Sequence, residues 1–331
     1  MERFALAAAV VLGFALTAAL CSLFVPLRRV LESRGQNQQP AQSEQPRPAP
    51  LRAPLWGGLC AAAGTVAAVG VGWLAACVGQ PELLGSEGRL MTRLLTALAG
   101  SLAFGAVGLA EDLARMRSPA ALGLRRDVRL LLEALAAAFV LLLLQAAGCL
   151  PRGLDVPGAG YVLLGSAVPF LWAVLMVALA ECARIAERDE GTVCGAAFVA
   201  MLALMMAEAG LGVPGLAVLP AALAGALVAL LLWAFPPARL GVGCCGSLLA
   251  AGAIGCIPLS LDMTSLTVPL ALPFWAAGGL WAAQLLGAKR TGKPLRCWVK
   301  KHKMSPETVF LCSFALSAVG YVLALALLRW C

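Results

Sequence analysis

Polar side chains are scarce over long stretches of this chain and return only in short bursts. Residues 4–25, 54–77, 90–110, 128–149, 158–180, 193–209, 212–234, 245–260, 266–288 and 307–329 are nearly continuous apolar runs. About 20 apolar residues in helical form cross a hydrocarbon core of ~30 Å. The pattern therefore predicts an all-α polytopic membrane protein of about ten transmembrane helices. Several runs are rich in Ala, Leu and Gly, small enough for close helix packing in a bilayer. The weakest boundary is between 193–209 and 212–234, where only "GLGVPG" intervenes. No internal repeat and no soluble domain is visible, so residues 1–331 read as a single integral membrane domain. Its longest polar insert, "SRGQNQQPAQSEQPRPAP" (33–50), is Pro-rich and reads as a flexible loop over about 33–52.

Composition agrees. Hydrophobic residues make up 61% of the chain and charged residues 13%, with a mean hydropathy of +0.88. A soluble domain is nearer half apolar and a quarter charged, so that class is excluded. The net charge of +8 does not call for a nucleic-acid partner, because the basic residues collect in alternate loops. If residue 1 lies outside, the inward loops hold Arg28, Arg29, Arg115, Arg117, Arg125, Arg126, Arg184, Arg188 and a basic stretch over about 288–306. The opposite side keeps Arg3, Arg89, Arg93, Arg152 and Arg329. The excess of positive charge on inward loops predicts both termini outside and an even number of spans. Such loops attract anionic lipid and phosphate-bearing substrates.

The first run does not read as a cleaved signal: its apolar stretch is too long and Arg28–Arg29 follow it. The 12 cysteines form no CxxC pair and lie mostly in apolar runs, where a thiol acts as a small hydrophobe. A disulfide framework is not expected. Adjacent Cys244 and Cys245, in "PARLGVGCCGSLLA" (237–250), lack further partners at metal-ligand spacing.

Candidate chemistry lies in the inward loops. In "GLAEDLARMRSPAALGLRRDVRLLLE" (108–133), Glu111 and Asp112 are adjacent acids at the inner end of a span. Such a pair can hold Mg²⁺ against a diphosphate. It can equally be a solvated helix end, with Glu111 four residues before Arg115. The segment "ECARIAERDEGTVCG" (181–195) is either a ligand loop or an ordinary charged helix. His302, in "KKHKMSP", is the single histidine, and its neighbouring lysines also serve to anchor the chain at the membrane surface.

"GLAEDLAR" resembles the G-x-x-D-D-x-x-K segment of the polyprenyl-phosphate glycosyl-1-phosphate transferases, and "ALGLRRDVRLLLE" resembles the N-L-G-L-x-x-x-x-K-L-L-x-Q stretch of their phospho-N-acetylmuramoyl-pentapeptide transferase branch. "RGQNQQ" (34–39) resembles G-Q-x-I-R, and "APLWGGL" (53–59) resembles T-P-T-M-G-G-L. "PARLGVGCCGSLLA" resembles P-A-x-V-F-M-G-D-x-G-S-L, and the basic loop before the last run resembles that branch's histidine loop. The motifs follow one another in the family's order along nearly the whole chain.

This resemblance implies ten helices with both termini outside, in the cytoplasmic (inner) membrane of a bacterium. The implied reaction moves phospho-MurNAc-pentapeptide from UDP to undecaprenyl phosphate, giving lipid I and UMP. It needs Mg²⁺ and cations for the phosphates. The implied catalytic positions are Glu111, Asp112, Arg115 and His302. Those implied for nucleotide and sugar are Glu187, Glu190 and Gly191. Asp112 is the implied metal position that keeps its aspartate, whereas Cys244 stands where the family has a metal-ligand Asp. The lysine before T-P-T-M-G-G falls on Pro50, and Asn positions of the nucleotide loop fall on Glu181 and Arg184.

Three readings follow. The first is a catalytically impaired homologue that binds polyprenyl phosphate and serves as a regulatory or partner subunit. The second is an active Mg²⁺-dependent transferase of a phospho-sugar from a UDP-sugar such as UDP-MurNAc-pentapeptide. The third is an unrelated membrane transporter. The expected partners are undecaprenyl phosphate, membrane lipid and a second subunit in a homo- or heterodimer, and not nucleic acid.

Overall fold

The computed structural model describes residues 2–36, 56–79, 88–117, 123–151, 153–156, 160–163, 165, 167–187, 191–213, 215–236, 238–291 and 305–329. Each of the ten apolar runs falls at least partly on helix. In chain order these are α1 (Glu2–Gln36), α2 (Gly57–Gly79), α3 (Gly88–Arg117), α4 (Arg126–Ala146), α5 (Ala167–Ala186), α6 (Thr192–Gly210), α7 (Val218–Ala234) and α8 (Gly243–Ser260). A 3₁₀ turn (Thr264–Leu266) leads into the short α9 (Thr267–Leu270), followed by α10 (Leu272–Thr291) and α11 (Pro306–Leu328). Among the described residues, seven helices are long and apolar enough to cross a membrane, or eight with one broken span. α7, at 17 residues, is shorter than that test requires. The protein is an all-α polytopic membrane protein, as the pattern predicts.

Two details depart from the pattern. The run 158–180 opens on β2 (Gly160–Leu163), which pairs antiparallel with β1 (Gly153–Val156) just before it, Gly153 opposite Leu163 and Val156 opposite Gly160. Helix begins only at Ala167. The run 266–288 bends by 63° between Thr264–Leu270 and Leu272–Ala283.

α8 is the axis of the bundle, with every one of its 18 residues buried. α3 runs antiparallel along it on a seam of small residues. A Cβ at Gly100 would lie 2.6 Å from Cys256 Sγ, and one at Gly252 would lie 3.0 Å from Ser101 Cα. At the end that carries Asp112, a Cβ at Gly108 would lie 2.7 Å from the Cys245 nitrogen. Such seams bring backbones together where lipid supplies no hydrophobic drive. α1 packs antiparallel on α2 and also against α7. Large apolar side chains stand exposed around the outside, among them Val78, Phe170, Leu142 and Val322. That surface suits lipid, not water.

Candidate functional site

The turn "GVGCCGS" (241–247) is where three elements meet. Gly243 has φ +72°, a left-handed conformation that glycine adopts without strain, and it opens α8. The N-cap residue Val242 offers no side-chain acceptor, so the first N–H groups of α8 need partners from elsewhere. Asp112 of α3 supplies them: Cys244 N–H donates to Asp112 Oδ1 at 3.0 Å and Cys245 N–H to Oδ2 at 2.9 Å. One carboxylate thus caps a helix to which it does not belong. Its negative charge also faces the positive end of the α8 dipole. α2 docks on the same turn, with Gly57 N–H donating to Gly241 O (3.2 Å) and Gly58 N–H to Val242 O (2.9 Å). A Cβ at Gly58 would lie 2.6 Å from Gly246 Cα. The two glycines of "WGGL" permit that approach.

A network of ion pairs lies beside this cap. Arg115 bonds Glu111 Oε1 at 2.7 Å and approaches Glu187 Oε2 at 3.9 Å and Asp112 Oδ1 at 4.0 Å. From α4, Arg129 bonds Glu181 at 2.7 Å and reaches Glu111 at 3.6 Å and Glu133 at 3.9 Å. Arg184 closes the set on Glu181 at 2.5 Å. Gly123, at φ +71°, packs on this cluster, its Cβ position 3.1 Å from Arg115 Cγ. Glu111, Asp112 and Glu133 are buried. Glu111 Oε2 and both Glu133 oxygens make no hydrogen bond.

The structure thus brings together the predicted Glu111, Asp112, Arg115, Glu187 and Cys244. Gly191, at φ +74°, is the N-cap of α6, its Cβ position 3.1 Å from Ala234 O. Glu190 and His302, like Pro50 and most of the two predicted loops, lie outside the described residues. The solvated helix end is corrected for Glu111: the i,i+4 pair with Arg115 exists, but the carboxylate is buried among arginines, not in water. The charged-helix alternative holds for residues 181–186, which complete α5. The network also includes Arg129 and Glu133, which sequence reading did not single out. Their i,i+4 spacing at the start of an apolar run was the available signal.

A divalent cation of the Mg²⁺ type needs several free, hard oxygen ligands in near-octahedral array. Here both Asp112 oxygens receive backbone N–H groups, Glu111 Oε1 is held by arginine, and Cys244 offers a soft thiol. Among the described residues no three acid, thiol or imidazole groups converge as a cation site. This donor set does not fit Mg²⁺.

Comparison with known proteins gives one consistent result. The family model described as glycosyl transferase family 4 matches residues 94–262, from α3 to just beyond α8. The phospho-N-acetylmuramoyl-pentapeptide-transferase of Desulforudis audaxviator is 32% identical over 170 residues, covering 48% of this chain and 50% of that protein. The chain thus spans about half the length of that relative. The protein of the same name from Mycobacterium tuberculosis is 28% identical over 265 residues, 72% of each chain. That from Geobacillus kaustophilus is 26% identical over 270 residues, covering 81% of this chain and 79% of its own.

Proposed function

The chain belongs to glycosyl transferase family 4, and on that premise we propose that it is a phospho-N-acetylmuramoyl-pentapeptide-transferase-like protein of the lipid I stage of peptidoglycan synthesis. In this reading it sits in the bacterial cytoplasmic membrane as one integral domain with both termini outside. It binds undecaprenyl phosphate, with metal-assisted turnover impaired, and serves as a regulatory or partner homologue, in a homo- or heterodimer.

One observation carries the impairment: the Asp112 carboxylate is committed to the Cys244 and Cys245 N–H groups, at the turn where the resemblance calls for a second aspartate. Phosphate binding is supported by Arg115, Arg129 and Arg184, three guanidiniums from three adjacent helices. Guanidinium forks suit phosphate oxygens. Each is already matched to a carboxylate, so an incoming phosphate must exchange with Glu111 or Glu181.

The active transferase is the second reading. It is favoured by the retention of Glu111, Asp112, Arg115 and Glu187 in one connected network. An unrelated transporter is set aside by the family match.

Purified protein mixed with undecaprenyl phosphate, UDP-MurNAc-pentapeptide and Mg²⁺ separates the readings. Binding of the lipid phosphate without UMP release is the expected result. Sustained UMP release overturns the impairment, and failure to bind the lipid phosphate overturns the binding role.

A further inference from the structure

Away from the ion network, α1 and α2 carry two buried thiols that the functional reading does not use. The two helices run antiparallel in a fixed register. A Cβ at Gly72 would lie 3.0 Å from Ala9 Cβ, and one at Gly64 would lie 3.2 Å from the Thr17 nitrogen. In both pairs, moving along one helix moves back equally along the other. One further turn of each helix brings Cys21 opposite Cys60. One turn beyond, Phe24 stacks on Trp56, with ring centroids 5.6 Å apart and planes 8° apart. The register therefore sets the two thiols opposite one another across the α1–α2 seam, and both are buried, at 0% and 1% exposure. Both are free.

Close backbones and opposed positions on antiparallel helices are what a disulfide requires, since Cβ atoms must come within ~3.5–4.5 Å. Water-borne reagents have poor access to so buried a pair. An apolar groove of about 450 Å³ lies alongside it, lined by Leu16, Leu20 and Leu23 of α1 and by Ala63, Gly64 and Ala67 of α2. Leu23 stands exposed on its rim, so the groove opens toward lipid.

We propose that Cys21 and Cys60 are a redox modification site, closing a reversible disulfide that tethers α1 to α2 with a lipid-soluble quinone as oxidant. The step balances: two S–H bonds break and one S–S bond forms. The two electrons and two protons pass to the quinone oxygens, giving the hydroquinone. Cys60 lies one turn into α2, whose first N–H groups bind the turn before Cys244. Gly58, two residues before Cys60, packs on the same turn, its Cβ position 2.8 Å from the Cys245 carbonyl carbon. The tether is therefore placed beside the Asp112 cap, although the proposal does not rest on the functional reading.

The test uses the full chain in lipid nanodiscs, exposed to a fully substituted short-chain benzoquinone or, in a parallel arm, to oxidised glutathione. Digestion without reductant and mass spectrometry follow. The expected product is a Cys21–Cys60 linked peptide, two hydrogens lighter than its parts and lost on treatment with a phosphine. Access from the lipid predicts formation about tenfold faster with the quinone than with oxidised glutathione, since exchange rates follow access to the sulfur. No linked peptide while exposed Cys312 is modified overturns the proposal, as does linkage of Cys60 to Cys245 instead. Equal rates in the two arms overturn the lipid route. Because the readout is made on the unmodified sequence, it does not depend on a variant folding. Cys21→Ala, where it folds, leaves Cys60 without a disulfide.

Discussion

The Cys244 N–H donates to Asp112 Oδ1 at 3.0 Å across 132 residues of chain, and Cys245 does the same to Oδ2. Helix α8 therefore begins on an acceptor delivered by α3. A side-chain cap contributes about 0.5–2 kcal/mol, and leaving buried N–H groups unpaired adds about 1–3 kcal/mol. Asp112→Ala is thus expected to lose about 2–4 kcal/mol in unfolding by SDS titration. Asp112→Asn keeps one acceptor and turns an NH₂ toward the other N–H, so it should fall between Ala and the unaltered protein. Equal stability of all three would show that the bonds do not hold α8 in place.

Cys244→Asp sets a second carboxylate beside Asp112. Two like charges in a buried turn repel, and a divalent cation relieves that repulsion. Millimolar Mg²⁺ is expected to raise the melting temperature of the variant and leave the unaltered protein unchanged. At a hundredfold excess over Kd the stabilisation is about 2.7 kcal/mol. The same shift in both proteins would contradict the misfit of the present donor set to Mg²⁺.

The α3–α8 seam sets a steric prediction. A Cβ at Gly108 would lie 2.5 Å from the Cys244 carbonyl carbon, both parts of rigid backbone. Gly108→Ala must separate the helices and should cost about 2–3 kcal/mol. Gly70, in the middle of α2, has nothing within 4 Å of its Cβ position. Gly70→Ala should instead gain about 0.5–1 kcal/mol from helix propensity. Thermal unfolding of the two variants in one detergent compares opposite signs for one chemical change.

How much of this was readable beforehand depends on the range of each interaction. Apolar runs report helices directly, and each of the ten falls at least partly on helix, although among the described residues only seven or eight of these helices are long and apolar enough to span. Glu111–Arg115 was readable because i,i+4 spacing is local. The Asp112 cap was not, since no periodicity links residue 112 to residue 244. Nor was Arg129–Glu181, 52 residues apart. The second strand of the hairpin hid inside an apolar run because Gly160–Leu163 is apolar like the helix that follows. The break at Ala271 hid for the same reason. In each case composition was preserved while the backbone changed direction.

The arginine network contains a reserve acceptor. Arg129 bonds Glu181 at 2.7 Å, but Glu133, one turn along its own helix, waits at 3.9 Å with no hydrogen bond to either oxygen. Glu181 is 22% exposed, so water screens part of its interaction with the arginines. Glu181→Gln alone should therefore cost only about 1–2 kcal/mol, because Arg129 can turn to Glu133. In a Glu133→Gln background Arg129 keeps only Glu111, which Arg115 already holds, and the same substitution should cost more, about 2–4 kcal/mol. Unfolding curves of the four proteins give the coupling directly. Additivity within about 0.5 kcal/mol, the behaviour of independent sites, would rule Glu133 out as the alternative partner.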